Sequence, residues 1–158
     1  MIILSIDSGL EKTGYSIFKK TNKDRNFITS GLIKTHKNIK IEKRIRIIYN
    51  RLNDVIKEFQ PEIIIIERLF FFKNQKTVIS VSQTQGAIML LAAQNNISVE
   101  FLSPLQIKQA ITGYGLADKT AVRKMVEFSV KISKKIKEDD EIDAIACGLA
   151  YCYLHQNN

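Results

Sequence analysis

Asp7 and Glu67 each close an apolar run, and Asp140 and Asp143 stand three apart at the start of a late helical pattern. With no Cys or His beside them, these carboxylates offer only oxygen ligands, the donor set that selects a hard ion such as Mg²⁺ or Mn²⁺. Side chains alternate along a strand, so Asp7 shares a face with Ser5 and Ile3, and Glu67 with Ile65 and Ile63. If the two strands are parallel neighbours joined through a helix, both acids reach the carboxyl edge of the sheet, where ligands of α/β folds bind. Neighbouring strands lie about 4.8 Å apart, and two carboxylates at that spacing repel unless a proton or a cation sits between them. In the late helix Asp139 would face Asp143 as well as Asp140 would, so spacing alone does not choose between them. Acids in a first helical turn are also stabilised by the free backbone N–H groups there. Asp143 borders the apolar Ile142, Ala146 and Leu149 stripe and is expected to point toward the protein body.

The elements that must carry these acids follow from hydrophobic patterning. Met1 to Ile6 predicts a buried strand that ends at Asp7, with Ser8-Gly9 as the turn that leads into a loop. Residues 14–18 and 27–35 alternate around a polar turn and predict an antiparallel hairpin beside it. Ile41, Ile45, Ile48, Leu52, Val55 and Phe59 recur at steps of three and four, with Pro61 just beyond, as in an amphipathic helix. Ile63 to Ile66 predicts a strand buried on both faces. A helix over about 75–95, apolar nearly all round in its second half, must pack on two sides. Ile97 to Leu102 predicts a fifth strand, and Ser103-Pro104 starts a short helix that ends near Gly113. Asp118 caps a basic helix to about Val130, and the last helix runs from about Asp140 to Tyr153. Strands first paired as hairpins and then alternating with helices predict an α/β layer with a mixed sheet.

At 158 residues the chain fits one domain spanning 1–158, able to bury about two-thirds of its unfolded surface without staples. Cys147 and Cys152 lie five apart on one helix and lack the neighbours of a zinc site, so they read as buried small hydrophobes in a reducing compartment. No basic leader precedes the first apolar run and no stretch approaches a membrane span, which predicts a soluble, cytoplasmic protein. A net charge of +8 implies an anionic partner, with nucleic acid the first candidate. The cations gather in two groups: Lys34, Lys37, Lys40, Lys43, Arg44 and Arg46, then Lys119, Arg123, Lys124, Lys131, Lys134, Lys135 and Lys137.

Several motifs in order resemble the RuvC-type Holliday junction resolvases. They are Ile6-Asp7-Ser8-Gly9 with Thr13-Gly14-Tyr15; Ile66-Glu67 with Phe70 and Lys73-Asn74; Gln106-Ile107-Lys108 with residues 113–119; and residues 140–146. The resemblance covers essentially the whole chain. It implies an RNase H-like fold, with a five-stranded mixed sheet in the order 3-2-1-4-5 flanked by helices, and it selects Asp140 beside Asp143. It further implies that Asp7, Glu67, Asp140 and Asp143 are catalytic and bind metal, two Mg²⁺ ions per site with Mn²⁺ able to substitute. Paired nicks in a four-way junction would then leave 5′-phosphate and 3′-hydroxyl ends. Lys108, Lys119, Lys73 and Arg123 would contact DNA, Phe70 would stack on bases, and the second helix would form a homodimer interface. A RuvAB-type branch-migration complex is a further partner the resemblance allows. The family usually has Asp-Pro-Gly where this chain has Asp7-Ser8-Gly9, so a looser loop with an intact ligand is expected. Two other readings compete with this one. One is an actin-like or sugar-kinase phosphotransfer module, whose two halves exceed this length; the other is a non-catalytic binder of branched DNA, against which the complete acidic set argues.

Overall fold

The computed structural model describes residues 1–69, 75–132 and 134–155. In chain order these form β1 (Ile2–Ser8), β2 (Lys12–Lys20), β3 (Arg25–Lys34), α1 (Ile41–Phe59), β4 (Ile63–Glu67), α2 (Gln75–Gln94), β5 (Ser98–Leu102), α3 (Pro104–Thr112), α4 (Lys119–Ser129) and α5 (Asp139–Leu154). The five-stranded sheet runs β3-β2-β1-β4-β5, with β1 antiparallel to β2 and parallel to β4. This is the predicted mixed sheet and strand order.

Parity along the central strands divides the core. Leu4 and Ile6 of β1 with Ile64 and Ile66 of β4 face α1 and α2, where Ile48, Leu52, Ile88 and Leu91 meet them. On the other face Ile3, Ile63 and Ile65 pack with Ile107, Val122, Ile142, Ile145 and Leu149 of α3, α4 and α5. Each such side chain taken fully from water contributes about 1.5–3 kcal/mol, so a one-residue slip of β1 or β4 would exchange apolar faces and is strongly disfavoured. Helix ends follow local chemistry. Gln60 closes α1 in a left-handed conformation at φ 47°, and Pro61 follows. Ser103 and Gln106 form a reciprocal capping box on α3, with Pro104 in its first turn and Gly113 at φ 77° beyond its end.

α5 lies against the sheet at close range. The hydroxyls of Ser5 and Ser16 both donate to the Ala144 carbonyl, at 2.8 and 3.2 Å. A Cβ on Gly148 would come within 2.5 Å of Ser5 Oγ, so only glycine permits this approach. Both cysteines are buried and free. Among the described residues no helix is long and apolar enough to cross a membrane. One expectation is corrected: Ser8 is not turn material but the last residue of β1, buried and paired with Thr13.

Candidate active site

β1 and β4 pair in parallel from Ile3 with Ile63 to Ile6 with Ile66, and Asp7 and Glu67 stand one step further on each strand. Their parity is that of Ile3 and Ile65, so both project to the α5 face at the carboxyl ends of the two central strands. Gly14 is the β2 partner of Asp7. A Cβ there would sit 1.9 Å from the Asp140 carbonyl oxygen, so a residue without a side chain lets the first turn of α5 settle beside Asp7. Four further contacts pin that turn. Lys12 and Lys34 bond Glu138 at 2.7 and 2.6 Å, and buried Glu141 accepts from Ser30 Oγ at 2.6 Å and pairs with Lys134 at 2.6 Å. The two lysines hold the Glu138 carboxyl down at about 2.

The acids perturb one another. Burial, then the charges of Glu67, Asp143 and Asp140, push the Asp7 carboxyl well above its usual range. Burial followed by the charge of Asp143 raises Glu67 from 4.5 to about 7. Asp143 is raised by burial against the opposing pull of Lys119, whose Nζ donates to its Oδ2 at 3.1 Å. For Lys119, burial opposes the charge, but Asp143, Asp139 and Asp7 together hold the ammonium above the ordinary lysine range. Among the described residues no three His, Cys, Asp or Glu side chains close tightly enough to hold an ion by themselves. The acids form one electrostatic neighbourhood rather than a finished chelate. Its excess negative charge, borne on oxygen alone, fits a hard divalent cation.

Gln85 of α2 is a site residue that sequence reasoning missed. Its Nε2 donates at 2.9 Å both to Ser8 Oγ and to the Glu67 carbonyl, bridging the two strands just beside the acids. Ser8 therefore answers the family's missing proline with a hydrogen bond, and the expected looser loop is replaced by a pinned strand end. Gln85 follows the polar Ser82, Gln83 and Thr84, so nothing local in the sequence set it apart.

The family profile for crossover junction endodeoxyribonuclease RuvC matches residues 3–152. The chain belongs to the RuvC family. RuvC of Caldicellulosiruptor saccharolyticus is 41% identical over 155 residues, covering 98% of this chain and 92% of that protein. RuvC of Fusobacterium nucleatum is 39% identical over 158 residues, covering 100% of this chain and 81% of that one. Thermus thermophilus RuvC solved in complex with Holliday junction substrate superposes with a TM-score of 0.89 at 25% identity, covering 99% and 95% of the two chains.

The remaining residues that the RuvC resemblance singled out fall in different places. Lys108 and Lys119 line one pocket of about 110 Å³ with Glu67 and Asp143, walled by Ile107 and Val122. Arg123 is engaged within the protein: it donates to Ile136 O at 3.2 Å and pairs with Asp139 at 3.1 Å and Glu127 at 3.5 Å. That contact also separates the two candidate helix acids, since Asp139 turns to Arg123 while Asp140 lines a groove beside Gly9 and Leu10. Phe70 and Lys73 lie outside the described residues.

Proposed function

We propose that this chain is a metal-dependent endonuclease that resolves four-way DNA junctions by paired symmetric nicks, in recombination and repair. The observation that carries the reading is the meeting of Asp7, Glu67, Asp140 and Asp143 at one sheet edge within a RuvC-family chain. The superposition on a RuvC bound to Holliday junction substrate supports junction DNA as the partner. On this reading the whole chain acts as one nuclease domain.

Asp7, Glu67, Asp140 and Asp143 would hold Mg²⁺, or Mn²⁺ in its place, as two ions per site. Ions so held lower the pKa of an attacking water and stabilise a leaving 3′ oxygen, giving 5′-phosphate and 3′-hydroxyl ends. Lys108 and Lys119 supply positive charge on the same pocket and meet phosphate oxygens there. Lys119, which donates to Asp143 Oδ2 at 3.1 Å, would present its ammonium to DNA once Asp143 held metal. Arg123 serves by tying α4 to the segment that enters α5. On α2, Ile79, Met89 and Leu90 are exposed apolar side chains, a surface suited to a two-fold homodimer that would cut two strands symmetrically. No observation favours the phosphotransfer reading.

A synthetic four-way junction incubated with the protein and Mg²⁺ or Mn²⁺ should yield nicked duplexes. Asp7→Asn should lower nicking by more than about 100-fold, beyond the loss typical of a supporting outer contact, while junction binding persists. Binding without nicking by the unaltered protein, with either metal, would refute the enzymatic reading.

A further inference from the structure

A groove of about 470 Å³ shares no residue with the Lys108 and Lys119 pocket, yet reaches the same acids through Asp140. Gly9, Leu10, Arg44 and Val81 line it as well. Arg44 comes from the first turn of α1 and is half-buried. Its Nε donates to Thr35 Oγ1 at 2.8 Å, and the buried Thr35 hydroxyl donates in turn to Leu10 O at 2.5 Å. The Thr35 N–H donates to Glu11 O at 2.9 Å. A guanidinium held through Nε is fixed in direction, with its outer Nη edge left for another acceptor.

That edge has no acceptor among the described residues. Among the described residues the Arg44 side chain makes no ion pair and no hydrogen bond besides the one to Thr35. The nearby charges are otherwise arranged: Lys12 is bonded to Glu138, Glu11 is exposed on the rim, and Asp140 belongs to the acid cluster. Exposed Lys37, Lys40 and Lys43 continue the positive charge outward along the approach to α1. A planar fork on a cationic track matches a phosphate diester, which accepts two parallel N–H bonds.

The geometry points to Arg44 as a positioning residue that clamps a DNA backbone phosphate flanking the scissile one, on the Asp140 side of the acids. The inference rests on the junction-nuclease reading. Thr35 aims the clamp, and the Thr35 link to Leu10 and Glu11 couples it to the β1–β2 loop that follows Asp7.

The test measures affinity for a labelled four-way junction in EDTA across a range of KCl concentrations, with single-turnover nicking in Mg²⁺. Arg44→Gln should weaken binding about fivefold or more, and the plot of log affinity against log salt should become shallower by about 0.9, the loss of one phosphate contact. Arg44→Lys keeps the charge without the fork, so its slope should stay as in the unaltered protein with intermediate affinity. A single neutral methylphosphonate beside the cut should flatten the slope of the unaltered protein equally, and Arg44→Gln should add nothing on that junction. The methylphosphonate effect itself is read from the unaltered protein, and Arg44→Lys supplies a second variant, so the test stands even if Arg44→Gln folds poorly. The inference is overturned if the unaltered protein binds and nicks but Arg44→Gln keeps its slope, if Arg44→Lys loses slope as Arg44→Gln does, or if no methylphosphonate flanking the cut flattens it. Failure of the unaltered protein to bind or nick a junction would instead overturn the reading beneath it.

Discussion

Replacing Glu67 with Gln should stabilise the metal-free protein, and only at neutral to alkaline pH. Glu67 is raised in the fold from 4.5 to about 7, first by burial and then by Asp143. Between those two values the unfolded chain has released its proton and the folded chain has kept it. Stability therefore falls as pH rises through this window and levels off above it. At about 1.4 kcal/mol per pH unit the loss approaches about 3 kcal/mol by pH 8. Gln retains the shape and removes the ionisation, so Glu67→Gln should gain up to that amount at pH 8 and close to none at pH 5. For a chain of this size the gain corresponds to roughly 6–12 °C in melting temperature. The assay is denaturation in EDTA at both pH values. Their difference cancels whatever the amide itself costs, leaving the ionisation. Excess Mg²⁺ should reverse the order, since only the unaltered site gains binding energy from the ion. An equal effect of the substitution at pH 5 and pH 8 would refute the claim that burial and the neighbouring Asp143 penalise the Glu67 charge.

Three further outcomes follow from the same geometry. The Mg²⁺ concentration that half-saturates nicking should fall about tenfold from pH 6 to pH 8 through Glu67 alone, because a carboxyl titrating near 7 must ionise before it can bind metal; a metal titration at several pH values checks this, and a flat profile would count against it. Gly14→Ala should cost about 1–3 kcal/mol by overpacking and cut nicking sharply while junction affinity holds, because the new methyl group displaces Asp140 from Asp7; denaturation and nicking assays read the two effects. Gln85→Leu strips the buried Ser8 hydroxyl and the Glu67 carbonyl of a donor; it should cost about 1–3 kcal/mol and slow nicking about 10–100-fold, read in the same assays.

Much of the fold was legible because it rests on periodicity. The α1 pattern from Ile41 to Phe59 coincides with the observed helix, and the Ser103-Pro104 start of α3 carries its own cap. Asp7 and Glu67 were legible as a pair, since strand parity alone puts them on one face once β1 and β4 are neighbours. Choosing Asp140 over Asp139 needed more than spacing. The difference between them comes from Arg123, which is remote in sequence from both and draws Asp139 away. Gln85 and Arg44 were not legible as site residues for a similar reason. Each acts through a contact distant in the chain, Gln85 with Ser8 and Arg44 with the Thr35 hydroxyl, and no local pattern encodes such a pairing. The expected loop at Ser8 failed because turn chemistry was judged from neighbours in sequence, while the residue is held from α2.

The order in which the chain delivers its acids has a consequence for synthesis. Asp7 and Glu67 lie in the central strands, whereas Asp140 and Asp143 ride on α5, which follows every other described element in chain order and docks on the sheet through Ala144. Chains fold from the N-terminus as they leave the ribosome. Without α5 the sheet lacks Ile142, Ile145 and Leu149, which cover one of its faces, as well as half of the proposed acidic set. Closure of the core and completion of the acid cluster therefore wait on the same element, and a translation product stopped before residue 139 is expected neither to fold fully nor to cut.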